Sequence, residues 1–320
     1  QKLEVLTNTV FGETWKPVEQ IEYEQLNMNC EMYESAVPPG VLVLTAGVDV
    51  QKDRLECEVV GWGRDHESWS IDYKVFEGPT GIASSGQRPD GEDEVGEINV
   101  WDQLAEFLMT PFIGPGGQAF RVQAACIDSG YQTTVVYKFC KDNSAKRWFA
   151  VKGMSDPFKP MISKATITGS NPKIRLFPIG TNAAKDEVFA SLRVEQPGPS
   201  YCHFPSTEKY DEAYFKQLAS ERMVTHVRGG RPYRVYEKVG ANVRNEALDV
   251  RVYATAARAI LNPNYEAIAR RKLQHGEAVE RPTVQGDEPN PEPPTPTPPR
   301  GEVIPFRQRR KIKSLNDPFS

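Results

Sequence analysis

Apolar positions in this chain follow two rhythms. Between Val41 and Phe76 they come in blocks of strand length. A continuous run over about 41–50 ends Gly47-Val48-Asp49-Val50, and a second covers Leu55–Trp62. In a third, Trp69, Ile71, Tyr73 and Val75 alternate with Ser68, Ser70, Asp72 and Lys74, the period-two pattern of a half-buried strand. The short polar links 51–54 and 63–66 suit antiparallel hairpins. After a Gly-rich acidic loop (about 78–97), blocks of helical and strand rhythm take turns. A helix is predicted near 100–108, a buried strand over 120–127, a helix over about 132–141, and strands over 147–152 and 173–177. Helices follow over 183–192 and 208–221, the second with Ser206 or Thr207 as its cap. Val224–Val239 resembles a hairpin turning at Gly229-Gly230, and a long helix over roughly 245–261 stops before Pro263.

Three antiparallel strands followed by strands alternating with helices predict an α/β fold with a mixed sheet flanked by helices. That order is the one expected of the RNase H-like class, which includes the RuvC and retroviral integrase types. Residues 1–40 carry no sustained period and resemble a linker arm, so the predicted domain covers 41–274. From 275 to 320 the chain turns Pro-rich, as in Glu288-Pro-Asn-Pro-Glu-Pro-Pro-Thr, and ends in a basic cluster over 307–313. Such a composition supplies no core and predicts a disordered tail with a docking end.

Composition narrows the classes without choosing one. The 320 residues, 39% hydrophobic and 10% aromatic, suffice for one large globular domain. No apolar run is long enough to span a membrane, and the opening Gln1-Lys-Leu-Glu suggests a piece of a longer protein. Cys30, Cys57, Cys126, Cys140 and Cys202 form no CxxC pair and accompany no histidine at zinc spacing, which suggests reduced thiols and a cytosolic setting. A net charge of -4 argues against a protein that coats nucleic acid, yet is compatible with a local basic grip around an acidic centre.

Candidate chemistry lies in three acidic stretches. Asp49 ends the first apolar run, Asp128 ends Val122-Gln-Ala-Ala-Cys-Ile-Asp128, and Glu246 and Asp249 open the long helix three residues apart on one face. A carboxylate in a buried strand costs several kcal/mol unless it is paired or metal-bound. Phosphodiester hydrolysis needs an activated water and charge stabilisation on attacking and leaving oxygens. Two divalent ions about 3.5–4 Å apart, Mg²⁺ or Mn²⁺ on carboxylate oxygens, supply both. Each acid also has a plainer explanation: Asp49 as a turn cap, Asp128 as an N-cap for the next helix, Glu246 and Asp249 as partners of the helix dipole.

Candidate DNA contacts are Lys152 at a strand end and the basic, aromatic segment with Arg228, Arg231, Arg234 and Arg244, although a solvated hairpin explains the latter equally well. No GxxxxGK[ST] loop is present, so P-loop ATP hydrolysis is excluded, and no Ser/His/Asp motif appears.

The string Leu44-Thr-Ala-Gly-Val-Asp49-Val-Gln-Lys-Asp-Arg-Leu-Glu56, with Val59-Val-Gly-Trp-Gly63 and Ile127-Asp-Ser-Gly-Tyr131, resembles the lambda-type (GpA) large terminase subunits of tailed bacteriophages. Val151-Lys-Gly153, Gly180-Thr-Asn-Ala-Ala-Lys185, His203-Phe-Pro205, Tyr214-Phe-Lys-Gln-Leu218 and Arg244-Asn-Glu-Ala-Leu-Asp249 extend the likeness over about 41–262. Asn8-Thr-Val-Phe-Gly-Glu-Thr-Trp15 is similar to the family's linker from its ATPase domain. The resemblance implies a metal-dependent endonuclease domain that cuts concatemeric double-stranded viral DNA in the host cytoplasm. It implies as partners an N-terminal ATPase domain of the same polypeptide, a small terminase subunit and the portal protein. Asp49 and Asp128 then match the two strand acids, Glu246 the third ligand and Asp249 a supporting position; Asn245 stands where some relatives have an acid. A RuvC-like junction resolvase or transposase-like nuclease is the same-fold alternative, and a non-catalytic docking module of the packaging motor is the other.

Overall fold

A computed structural model describes residues 21–28, 30–81, 99–169 and 173–274. These all fall in the first of two units, residues 1–283 and 284–320. Residues 1–20, most of the acidic loop (82–98) and the whole tail with its basic cluster lie outside the described residues.

At the centre is an eight-stranded mixed sheet. Its first three long strands, β1 (Val43–Val50), β2 (Arg54–Trp62) and β3 (Ser68–Glu77), are joined by tight turns and pair antiparallel, as the short polar links predict. Two-residue pieces, β4 (Phe112–Ile113) and β5 (Ala119–Phe120), form a small separate pair. Strands β6 (Val122–Asp128), β7 (Trp148–Met154) and β9 (Ile174–Gly180) then continue the sheet in parallel on the other side of β1. Short strands close the edges, β8 (Thr166–Thr168) beside β9 and β10 (Cys202–His203) beside β3, giving the order β10-β3-β2-β1-β6-β7-β9-β8. Three antiparallel strands followed by parallel ones, with helices on both faces, is the RNase H-like arrangement expected from the sequence.

Alternation along each strand sorts side chains into two layers. On one face Leu44, Ala46, Val48, Leu55, Cys57, Val59, Ala125 and Ile127 pack against α2 (Val100–Met109) and α3 (Thr133–Asp142), through Trp101, Leu104, Phe107, Val136 and Phe139. On the other, Ala124, Cys126 and Val151 meet α4 (Thr181–Leu192), α5 (Glu212–Leu218) and α6 (Glu246–Leu261). Helix α6 lies against the middle of the sheet and is buried on nearly every side. Its approach is so close that a Cβ at Gly47 would collide with the Val250 carbonyl and the Ala254 amide. A glycine is required at that crossing.

Several expectations change. The strict alternation read along β3 breaks at a β-bulge between Val59 and Val60 of its partner. Trp69 and Phe76 both reach the first layer, Tyr73 turns to the α6 side and Val75 is exposed, because an extra residue inverts the facing of all that follow. Helix α5 starts only at Glu212, because Asp211, rather than Ser206 or Thr207, accepts from the Tyr214 amide at 2.8 Å. Residues 21–40 include α1 (Tyr23–Met28) and bury Ile21, Leu26 and Val37. Beyond Pro263, Asn264 accepts from the Ala267 amide at 2.9 Å and the chain turns helical again as α7 (Tyr265–Gln274). The predicted hairpin is present as β11 (Glu221–Arg228) and β12 (Arg231–Lys238), a ribbon apart from the main sheet.

Candidate active site

The side chain of Asp49 follows from its place in β1. Positions 44, 46, 48 and 50 face the first layer, so Thr45, Gly47 and Asp49 face α6, and Thr45 donates to the Ala254 carbonyl at 2.8 Å. On β6, Ala124 and Cys126 share that face, which brings Asp128 to it at the strand's end. Glu246 and Asp249 occupy the first turn of α6. Two adjacent parallel strands and one helix N-terminus thus bring the four sequence-predicted acids to one side of the sheet.

Asp49 is buried and accepts from the Gln51 side-chain amide at 2.5 Å. Asp128 takes hydrogen bonds from the Ser129 and Gly130 amides and from the Tyr253 hydroxyl. It does not cap the next helix, whose N-cap is Gln132. Asp249 accepts from Asn245 Nδ2 at 3.0 Å. Asn245 Nδ2 also donates to Glu221 at 3.2 Å, and Glu221 is held by Lys185 Nζ at 2.6 and 2.8 Å. Glu246 is held differently, by Arg54 Nη2 at 2.8 Å and Arg244 Nε at 3.1 Å.

These surroundings divide the acids. Burial pushes Asp49 up to about 6; Gln51 pulls it back, while Asp128, Glu56 and Glu246 push further. Burial likewise lifts Asp249 to about 7, against Lys185 and with Asp49, Glu221 and Asp128. Asp128 is raised by burial despite its three donors. Burial also opposes ionisation of Glu246, but its own backbone amide, Arg244 and Arg54 outweigh that and hold it below the usual carboxylate range. Burial thus outweighs Lys185 at Asp249 and Lys152 at Asp128, and neighbouring acids add to it at Asp49 and Asp249, whereas Glu246 is in direct contact with two arginines.

That donor set suits a hard divalent cation, which takes carboxylate oxygens and removes the repulsion that raises these acids. Among the described residues, no three Asp, Glu, His or Cys side chains stand close enough to form a ready-made metal site. The donor chemistry fits, and binding requires the carboxylates to close in.

The remaining predicted residues are less closely grouped. Lys152 is exposed on β7 and lies within electrostatic reach of Asp128. Arg231 and Arg234 are exposed on β12, and nothing is described of the Arg228 side chain. The ribbon they occupy is tied to α4, where Asn182 donates to the Arg234 carbonyl at 2.8 Å, Tyr236 donates to Asp186 at 2.7 Å, and Tyr236 stacks on Phe189. Four neighbours of the acids escaped the sequence-based selection: Arg54, Glu56, and the paired Lys185 and Glu221. Glu56 and Glu58 had a visible signal, two acids alternating with apolar residues in a buried strand, as in Leu55-Glu-Cys-Glu-Val.

Comparison with known proteins identifies the family of the chain. The family described as "Terminase large subunit gpA, endonuclease domain" matches residues 1–272. The large terminase subunit of Escherichia phage lambda is 32% identical over 264 residues, 80% of this chain and 38% of that protein. Its counterpart in Enterobacteria phage P21 is 29% identical over 265 residues, again 80% and 38%. The chain thus spans well under half the length of the curated relatives it matches. Among solved structures, a mutant nuclease domain of the large terminase subunit gp2 of bacterial virus Sf6, determined with manganese, matches at 12% identity and a TM-score of 0.38, covering 73% of this chain and 97% of that one. With the family description covering most of the sequence and two curated relatives aligned along it, the chain belongs to the endonuclease-domain family of gpA-type large terminase subunits.

Proposed function

We propose that this chain is the metal-dependent endonuclease domain of a phage DNA-packaging motor, cutting concatemeric double-stranded DNA by phosphodiester hydrolysis. The observation that carries the proposal is that Asp49, Asp128 and Asp249 share one face of the sheet, each raised above the usual carboxylate range first by its burial. Two divalent ions, Mg²⁺ or Mn²⁺, held by these acids would supply Lewis acidity at the scissile phosphate and would lower the pKa of a bound water so that it gives up a proton and can act as the nucleophile. Each acid is oriented by a donor of its own: Gln51 for Asp49, Asn245 for Asp249, and Tyr253 with two backbone amides for Asp128. We assign direct metal contact to these three aspartates, and to Glu246 the task of holding Arg54 and Arg244 at the rim. Lys152, Arg231 and Arg234, with Arg228 on the same ribbon, receive backbone phosphates and so position the duplex without selecting sequence.

The partners that complete the motor are an ATPase half of the same polypeptide on the N-terminal side, a small terminase subunit and the portal protein, all working in the host cytoplasm. Cleavage of supercoiled plasmid in Mg²⁺ or Mn²⁺ tests the proposal. It predicts nicked and linear products that vanish with EDTA and in Asp49→Ala. Cleavage that survives Asp49→Ala overturns the site, and cleavage confined to four-way junctions overturns the packaging assignment in favour of a resolvase.

A further inference from the structure

At the edge of the acid centre four side chains close a ring. Glu56 Oε1 accepts from Arg54 Nε at 2.6 Å and from Arg244 Nη2 at 2.5 Å. Across the ring, Glu246 accepts from the same two residues, Arg54 Nη2 at 2.8 Å and Arg244 Nε at 3.1 Å. The ring joins the start of β2 to the start of α6. It also borders the proposed metal site, because Glu56 is the cross-strand partner of Asp49 and so shares its face. Glu56 is fully buried and also accepts from the Tyr73 hydroxyl, so it is a fixed anchor. The arginines differ: the side chain of Arg54 is 18% exposed and that of Arg244 is 53% exposed.

Planar guanidiniums held by carboxylates are already oriented to receive another two-oxygen anion, and the anion of a DNA backbone has the matching geometry. A purely structural ion pair has no need of an exposed arginine, Arg244, and a partly exposed one, Arg54, which also pairs with Asp53 at 3.0 Å, beside a cleavage centre. We propose that Arg54, together with Arg244, binds the DNA backbone phosphate next to the cleaved bond, and that Glu56 and Glu246 hold the two guanidiniums in position until DNA takes their place. This rests on the nuclease assignment above and adds to it a phosphate-binding residue, Arg54. It also fixes the sign of the carboxylates' effect. They compete with phosphate for the same donors, so removing one favours DNA.

The test is equilibrium binding of a duplex oligonucleotide by the full chain in EDTA, where no cleavage occurs, repeated across a salt series. For the native protein, log affinity falls with log salt by about 0.9 for each phosphate contact. Arg54→Gln is expected to weaken binding about 5–10-fold near 0.1 M salt and to make the slope shallower by about 0.9, the loss of one contact. Arg54→Lys keeps the charge and the slope. Glu56→Gln frees the arginines and is expected to leave affinity unchanged or raise it a few-fold. Melting temperatures measured alongside separate binding from folding, since both Gln variants remove ring contacts and lower stability. Opposite effects of Arg54→Gln and Glu56→Gln on binding support the proposal. Equal losses in both, or an unchanged slope in Arg54→Gln, reduce the ring to a structural brace and overturn it while leaving the nuclease assignment intact. A native chain that binds no duplex at all overturns both.

Discussion

Asp49 and Asp249 are distinguished from ordinary carboxylates by where their protons go. Their folded values, about 6 and about 7, exceed the roughly 3.9 of an unfolded aspartate. Between those limits the folded chain holds protons that the unfolded chain has released, so these two residues make stability fall as pH rises from about 4 through 7. Without metal, the native protein should lose melting temperature across that window more steeply than Asp249→Asn, which has no proton to lose at that position. Mn²⁺ should reverse the loss in the native chain, because it binds the ionised form and adds stability through mass action. Equal pH slopes for the two proteins would contradict this account of Asp249. Of the four acids, the sequence showed all by position, two as carboxylates at the ends of apolar runs and two opening the long helix. It could not rank them, because the difference between Asp249 and Glu246 lies in Arg54, Lys185 and Glu221, residues far away in the chain that only the fold brings near.

At the scale of elements, α6 is the part on which the site depends. It carries two of the acids, crosses β1 at Gly47, and is pinned by Arg251, which forks onto Glu58 of β2 at 2.7 and 3.1 Å. Glu58 in turn accepts from Ser70 at 3.1 Å and Tyr214 at 2.9 Å, so the helix is joined to two strands and to α5 through one buried carboxylate. Removing one member of a buried pair strands the other, and Arg251→Met should cost about 3–5 kcal/mol in denaturant unfolding. A change below about 1 kcal/mol would mean that the pair contributes little. Gly47→Ala pushes α6 away from β1 and should cost about 1–3 kcal/mol by overpacking. It should also reduce cleavage, since β1 and α6 each bring an acid to the site; full activity in that variant would show that the spacing is not critical. The helix itself was legible from its length and period. The clamp is only half visible in the sequence: Glu58 alternates with apolar residues in a buried strand, a signal that could have been read, while nothing next to Arg251 in the chain marks its partner.

Over the whole molecule, long elements were legible and short ones were not. β1, β2, β6 and α6 carry enough apolar positions to show their period. β10 has two residues and β8 three, too few for any rhythm, and they exist because a neighbouring strand offers its edge. Pro263 correctly ended α6, but the same signal hid α7, whose Asn264 cap and burial of Ala269 against Leu42 and Val43 restart the helix. The bulge in β3, opposite Val59 and Val60, was likewise invisible, because one inserted residue changes facing without changing composition. The assembled sheet then does what no single motif can: it brings β1, β6 and the α6 N-terminus together on one face, with an arginine-bearing ribbon attached through α4. The most direct test of this arrangement is Mn²⁺-dependent cleavage of supercoiled plasmid by three proteins of matched folding, the native chain, Asp249→Asn and Glu246→Gln. Loss of a residue that merely orients a metal ligand costs about 10–100-fold, so loss of a direct ligand should cost at least about 100-fold. Asp249→Asn is expected to show that deficit and Glu246→Gln a loss of no more than about 10-fold; the reverse order would contradict direct metal contact by Asp249.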